Sequence, residues 1–275
     1  MRIGSHEVGV LGLGTAHFAF REDLDAELSI AAIRTAVDQG VRLIDTALAY
    51  SRRDAPGYAE AIVGRALAGA TAGPEVLVAT KGGHYRSGED FPVDGRPEAL
   101  RSHCDASLSA LGVERIGLYQ LHWVDPAVPL SESVGALAEL QRQGKIEMIG
   151  LSNVDRMQLE EAQAVTAIAS VQNRLSMDRP EDLPLAKLCA ATGVAYLAYM
   201  PLGGAAAAHA DSGVACAAVT ARHGVSWQQV ALAWLLLQPN VVPIVGSSRA
   251  ETILDSLRAG ELRLLEEDLA LLPPG

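Results

Sequence analysis

Positive charge is in short supply: 22 lysines and arginines face 33 aspartates and glutamates, for a formal net charge of −11. Binding nucleic acid or an anionic membrane requires a basic patch, so neither is expected as a partner. An anionic ligand would have to be held by a few local donors rather than by the overall field. Cysteine is scarcer still. Cys104, Cys189 and Cys216 make an odd number with no CxxC spacing. Cys104 falls in register with Leu100 and Leu108 on one helical face, so a buried core thiol is expected there, and a reducing cytosol as the compartment. Long hydrophobic runs are missing too. The longest, "VALAWLLLQ", is far short of a membrane span, and "MRIGSHEVGVLG" at the start has no apolar signal region. The expectation is a soluble, cytoplasmic protein.

What the chain does have is a large apolar fraction, 49% of 275 residues, enough for one large α/β domain or two small ones. Short apolar runs alternate with helical patterns from end to end. "VGVLGLGT" precedes a helix over residues 28–39, and "VRLIDT" precedes one over 58–67. "EVLVATK" leads to a helix opened by Pro97 and stopped by Gly112, and "RIGLYQLH" to one bearing Val134, Leu137 and Leu140. "EMIGLSN" meets a helix begun near Asp155, and "AIASVQN" one over 185–188. "VAYLAYM" precedes the capping-box spacing Ser226-x-x-Gln229 and "VALAWLLL", and "NVVPIVGSS" precedes a helix with Ile253, Leu254 and Leu257. The stretch 203–213, "GGAAAAHADSG", reads as a loop. Eight apolar strands, each followed by helix, argue a parallel sheet covered on its outer face and fit a (β/α)8 barrel forming a single domain over residues 1–275. The alternative, a doubly wound open sheet, is weakened because "GLGTAHFAF" carries no GxGxxG phosphate fingerprint.

In such a barrel chemistry sits at the carboxyl ends of the strands. Here they end in Asp45, Lys81, His122, Ser152-Asn153, Gln172-Asn173, Tyr199 and the 246–249 segment Gly-Ser-Ser-Arg. Each has an ordinary reading on its own. A lone histidine serves as a structural hydrogen bonder, a lysine emerges into solvent, Asp45 caps a turn, and Tyr50 packs. The ordinary readings weaken together, because one rim would hold an acid, an ammonium, a phenol and an imidazole. A phenol titrates near ~10, too high for a ready proton donor, and an ammonium beside it lowers that value. A buried lysine keeps its charge when a carboxylate pairs with it. Asp45 would therefore hold Lys81 charged, Lys81 would make Tyr50 more acidic, and Tyr50 would protonate a carbonyl oxygen oriented by His122. No Ser or Cys nucleophile is paired with a base, so the reducing equivalent has to come from a cofactor.

The stretches "LIDTALAY", "GYAEAIVGRAL", "VATKGG", "SLSALGVERIGLYQLHWVDP", "LAELQRQGKIEMIGLSNV", "SVQNRLS", "LAYMPLGG" and "VPIVGSSRAETILDSL" resemble, in order and spacing, those of the aldo-keto reductase superfamily, its compact bacterial branches above all. The resemblance implies a barrel entered through an N-terminal β-hairpin over residues 1–8, and NADPH lying across the rim as hydride donor to an aldehyde or ketone, with alcohol oxidation as the reverse. It places the family's catalytic tetrad on Asp45, Tyr50, Lys81 and His122. It puts Tyr199 against the nicotinamide ring and Ser152, Asn153 and Gln172 on its carboxamide. Leu202 and Gly203 fall beside the pyrophosphate. Gly246, Ser247, Ser248 and Arg249, with Asp255 and Ser256, fall at the adenosine 2′-phosphate and adenine. The chain departs from the family pattern in having Ser51 where Gly often follows the tyrosine, and Thr252 and Ser256 where Gln and Asn are common. Arg249 and the two serines suit a 2′-phosphate, so NADPH is favoured and NADH stays open. The short Ala-rich segment after strand seven implies quicker cofactor exchange.

Candidate walls of the substrate pocket are His17, Phe18 and Phe20, the loop of Arg52, Arg53 and Tyr58, then His84, Tyr85 and Trp123, aromatics suited to a sugar or ring face. Small aldehydes, keto sugars, pyridoxal-like rings and biosynthetic ketones all satisfy such a pocket. Two other functions stand beside the reductase reading. One is a cofactor-binding regulatory or channel-subunit barrel with little turnover, disfavoured by the intact tetrad. The other is a metal-dependent hydrolase, for which no HxH or clustered ligand set appears, so no metal is expected. The sequence does not specify an oligomeric state.

Overall fold

The computed structural model describes residues 1–21, 23–68, 75–203 and 211–273. Eight parallel strands form its centre: β3 (Gly12–Gly14), β4 (Leu43–Asp45), β5 (Leu77–Gly82), β6 (Ile116–Leu121), β7 (Ile146–Ser152), β8 (Ser170–Arg174), β9 (Ala195–Tyr199) and β10 (Val241–Gly246). They pair in chain order and close as a barrel with β10 against β3. Ahead of them β1 (Arg2–Ile3) and β2 (His6–Glu7) make the expected antiparallel hairpin.

The apolar runs are continuous because each strand is covered on both faces. One alternation, with Leu43, Leu77, Ala79, Leu118, Met148, Leu197, Val242 and Ile244, fills the barrel and takes in Ile3 and Val8 from the hairpin end. The other, with Ile44, Tyr119, Ile149, Val171, Tyr196 and Val245, belongs to the larger core formed with the surrounding helices. Following the interior phase two residues at a time toward the strand ends turns it polar: Leu43 to Asp45, Ala79 to Lys81, Leu118 to Gln120 and His122. The site is thus the last layer of the barrel core rather than an addition to it.

Helix ends largely follow their local signals. The side chain of Asp25 accepts from the amides of Glu27 and Leu28, starting α2 (Ala26–Asp38) two residues before the apolar period shows itself. α3 spans Tyr58–Leu67 as expected, and α4 (Pro97–Leu111) ends on Gly112 at φ 68°. Asp155 and Gln158 cap α6 (Arg156–Gln163) reciprocally. At α9 (Trp227–Leu236) the expected box is half formed: Ser226 Oγ accepts from the Gln229 amide, but the Gln229 side chain turns to Asp255. α8 (Asp211–His223) begins inside the stretch expected as loop, whose residues 204–210 lie outside the described residues. The remaining long helices are α5 (Leu130–Arg142), α7 (Leu183–Ala191) and α10 (Ala250–Leu257). Short α1 (Ala16–Phe20) and α11 (Glu266–Leu269) escaped the sequence, being too brief to show a period. The three cysteines are buried, and burial pushes the Cys104 thiol up to about 12, in keeping with a core role. Among the described residues no helix is long and apolar enough to cross a membrane.

Candidate active site

At the end of β4 the Asp45 carbonyl is fixed by the Thr15 amide and hydroxyl, at 2.9 and 3.1 Å. Its carboxylate is shared. Oδ2 accepts from Lys81 Nζ at 2.7 Å, and Oδ1 from Gln172 Nε2 at 2.7 Å and Gln120 Nε2 at 3.5 Å. Lys81, with no exposed surface, also donates to the Thr46 carbonyl at 2.9 Å and lies 3.5 Å from Tyr50 Oη. Burial works against its charge, but Asp45 and Tyr50 outweigh burial and hold the ammonium above its ordinary range.

Tyr50 is brought over the rim by a tight turn that Ser51 ties down. The Ser51 hydroxyl donates to the Leu48 carbonyl at 2.6 Å and accepts from the Gly57 amide at 2.8 Å, while the Ala59 amide holds the Tyr50 carbonyl at 3.1 Å. The departure from glycine at this position is therefore a structural tie. Burial pushes the Tyr50 phenol above its ordinary value, and the nearby ammonium pulls it only part of the way back. The net acidification expected from the sequence is not what the geometry gives: Lys81 offsets the cost of burying the phenol rather than making it a stronger acid than in water.

His122 follows β6. Its ring meets Tyr50 edge-on at 5.9 Å between centroids and His84 at 4.8 Å. Burial, then the Lys81 charge and His84, keep its imidazole well below the usual histidine range, so it is neutral around pH 7. Asn153, in the left-handed region at φ 58°, donates to the His122 carbonyl at 3.0 Å and to Ser152 Oγ at 3.1 Å and accepts from Tyr199 Oη at 2.8 Å. Ser152 Oγ in turn donates to the Gln172 carbonyl at 2.9 Å. These bonds join the four residues proposed from the sequence for the carboxamide and ring to the acid–lysine–phenol group. They face a groove of about 710 Å³ that Asp45, Tyr50, His122 and Trp123 also line.

The Aldo/keto reductase family model matches residues 10–273. The chain belongs to the aldo/keto reductase family. An uncharacterized oxidoreductase of Schizosaccharomyces pombe is 30% identical over 278 residues, covering 99% of this chain and 88% of that one. Among solved structures, the thermostable aldo-keto reductase Tm1743, in complex with the inhibitor epalrestat, superposes with a TM-score of 0.85 at 31% identity, covering 98% of this chain and 97% of that one. An aldo/keto reductase from Klebsiella pneumoniae, in complex with NADP and acetate, does so at 0.81 and 27% identity, covering 98% and 91%. The resemblance read from the motifs and the barrel with its N-terminal hairpin both hold, and the chain is an oxidoreductase of this family.

In this aldo/keto reductase the groove also meets Leu202 and Gly246, as expected, and His17, expected as a wall of the substrate pocket, together with Gly14, Met200, Pro201, Trp227 and Gln228, which the sequence does not single out. Gly203, Ser247, Ser248, Arg249, Asp255 and Ser256 stand off its walls. The Gly203 carbonyl accepts from Arg174 at 3.1 Å. Ser247 Oγ accepts from the Arg249 amide at 3.1 Å, at the entrance to α10, and Ser248 lies between them. Asp255 clasps the start of α9, accepting from Ser226 Oγ at 2.9 Å and Gln229 Nε2 at 2.7 Å. Ser256 is buried and donates to the Thr252 carbonyl one turn back at 2.9 Å.

A second cavity of about 410 Å³ adjoins the first at Tyr50 and His122 and is walled by Phe20, Ala49, His84, Arg86 and Phe91. Phe20 was expected. Phe18 lies in the core with no exposed surface. Arg52 is occupied as a clamp, donating to the carbonyls of Phe18, Arg21 and Leu24 at 3.3, 3.2 and 2.7 Å with its guanidinium 3.9 Å over Tyr58. Tyr85 packs on His103 at 5.1 Å. Arg86 and Phe91 come from an irregular loop after β5 that has no periodicity for a sequence reading to use.

Proposed function

We propose that this chain is an NADPH-dependent carbonyl reductase in which Tyr50 gives the proton. The observation that carries the reading is the Lys81 ammonium set between Asp45 Oδ2 at 2.7 Å and Tyr50 Oη at 3.5 Å beside a groove and a second cavity. The groove suits a dinucleotide in size and chemistry. Gly246 lines the groove, and a Cβ there would come within 2.7 Å of His17 Nδ1, so the glycine makes room for the His17 ring on the same wall. Gln172 spends one amide N–H on Asp45 and keeps Oε1 for a carboxamide N–H. Arg249 has no carboxylate partner among the described residues and stands at the start of α10, suited to a 2′-phosphate.

When bound, the nicotinamide supplies a hydride to the carbonyl carbon. The protein's part is the proton. Tyr50, protonated at neutral pH, donates to the carbonyl oxygen and becomes a phenolate that the adjacent ammonium stabilises. Asp45 keeps that ammonium charged while the barrel excludes water. The neutral His122 ring donates a hydrogen bond to the same oxygen and sets its position. The phenolate is reprotonated as the alcohol leaves.

Tyr50→Phe tests the assignment. NADPH oxidation with an aldehyde panel should fall by roughly a hundredfold or more, while NADPH affinity from fluorescence titration stays within a few fold. Turnover retained in the variant would remove Tyr50 as the donor. Wild type run with NADH alongside tests the cofactor preference.

A further inference from the structure

The five rings around the second cavity form a closed collar. Tyr50 meets Phe20 at 5.8 Å, Phe20 meets Phe91 at 5.9 Å, Phe91 meets His84 at 5.9 Å, His84 meets His122 at 4.8 Å, and His122 returns to Tyr50 at 5.9 Å. A collar of ring faces and edges receives an apolar or aromatic body, and it holds that body directly against the proposed proton donor.

One charged side chain breaks the apolar wall. Arg86 Nε donates to the Gly88 carbonyl at 2.9 Å and Nη1 to the Ser51 carbonyl at 2.9 Å, and the guanidinium lies 5.6 Å from the Phe91 centroid. These bonds fix the fork and use two of its five N–H donors, leaving one on Nη1 and both on Nη2. Among the described residues no acidic side chain lines the cavity. Glu89 on the same loop pairs instead with Arg53, and Arg86 has no carboxylate within ion-pair distance among the described residues. In a chain of net charge −11, a half-buried arginine left without an acid in a substrate cavity is an unmet charge. Burial keeps the neighbouring His84 below the usual histidine range and so neutral around pH 7, and His122 is neutral as described above. The cavity therefore offers one positive charge, which matches a monoanion and not a phosphate dianion.

We propose that the substrate of this reductase is an aldehyde or ketone bearing a carboxylate, with Arg86 receiving the carboxylate and the ring collar holding the body between it and the reacting carbonyl. The proposal rests on the carbonyl-reductase reading and adds the substrate class.

The test uses meta- and para-carboxybenzaldehyde, each against its uncharged methyl ester, with NADPH. Within each enzyme the acid-to-ester ratio of kcat/KM is read, so that the ester corrects for any disturbance of the Tyr50 turn that Arg86 supports. Wild type should favour the acid by roughly tenfold or more, as a charge-assisted pair of hydrogen bonds provides. Arg86→Met should bring the ratio close to one, mainly through KM, and Arg86→Lys should keep most of it. A wild-type ratio at or below one for both isomers, or one unmoved in Arg86→Met, overturns the carboxylate assignment and leaves the reductase reading standing. Preference for para-formylphenyl phosphate over either acid overturns it in favour of a dianion. No turnover of any of these aldehydes overturns the reductase reading and this inference with it.

Discussion

Glu60 offers a stability experiment with a sign that runs against habit. It sits on α3 with no exposed surface, behind β5, where Oε1 accepts from Thr80 Oγ1 at 2.6 Å and Oε2 has no partner. Burial is the dominant influence on its carboxyl; Thr80, Ser107 and the Lys81 charge oppose it, and the group is pushed up from 4.5 to about 7. Each tenfold change in proton affinity is worth about 1.4 kcal/mol, so the difference amounts to about 3 kcal/mol. The folded chain binds this proton more tightly than the unfolded one. The contribution is therefore complete below about pH 4.5, shrinks as pH rises, and is lost above about 7. Most acidic residues that matter to stability behave in the opposite way.

Glu60→Gln keeps the acceptor for Thr80 and has no charge to desolvate, so it imitates the protonated residue at every pH. Urea denaturation of both proteins at pH 5 and pH 8 isolates the effect, because the other titrating groups cancel in the difference at each pH. The stability of the variant relative to wild type should rise by about 2–3 kcal/mol between the two conditions. In thermal melts that is roughly 2–4 °C for each kcal/mol in a protein of this size. A gap that stays the same at both pH values, or widens toward pH 5, would refute the buried-carboxyl reasoning.

The other predictions concern the site. Lys81→Met leaves the Asp45 carboxylate buried with only glutamine donors, so it should cost about 3–5 kcal/mol of stability as well as turnover; denaturation midpoints showing a loss under about 1 kcal/mol would contradict the pairing. The pH profile of kcat/KM for reduction should be flat from about 6.5 to 9.5. His122 lies well below its ordinary value and is neutral throughout, whereas Tyr50 and Lys81 lie above theirs and keep their protons. An activity break near 6.5 that survives Glu60→Gln would mean His122 titrates where an exposed histidine does.

Much of this was legible in advance for reasons tied to particular residues. A strand covered on both faces shows an apolar run with its polarity held back to the last residue, so Asp45, Lys81 and His122 announced themselves at the strand ends. Gln120 carries the same signal, a polar residue in the interior phase two before His122, but its place inside the run conceals it. Tyr50 joins them as the phenol that completes the set on one rim, but the turn that carries it there is not legible, since it depends on the Ser51 hydroxyl meeting Leu48 and Gly57. Arg52 looked free and is a clamp; Arg86 looked unremarkable and faces a cavity. Nothing local separates the two, because the carbonyls that capture Arg52 belong to residues 18–24, some thirty positions away.

Gln172 shows what the three-dimensional arrangement adds to a residue already suspected. The family resemblance assigned it to the cofactor's carboxamide, and the structure finds its Nε2 on Asp45 Oδ1 at 2.7 Å. An ionised carboxylate can only accept, so the amide nitrogen must face Asp45 and the orientation of the side chain follows from chemistry. One N–H of that amide is spent on Asp45, so Oε1 as an acceptor and the second N–H as a donor are what Gln172 has left for a ligand. A carboxamide, which carries both an N–H donor and an oxygen acceptor, is the kind of group that can answer both. One residue thus completes the partners of Asp45 and lines the groove beside it, so that the proton-holding group and the groove are not separable parts of this site.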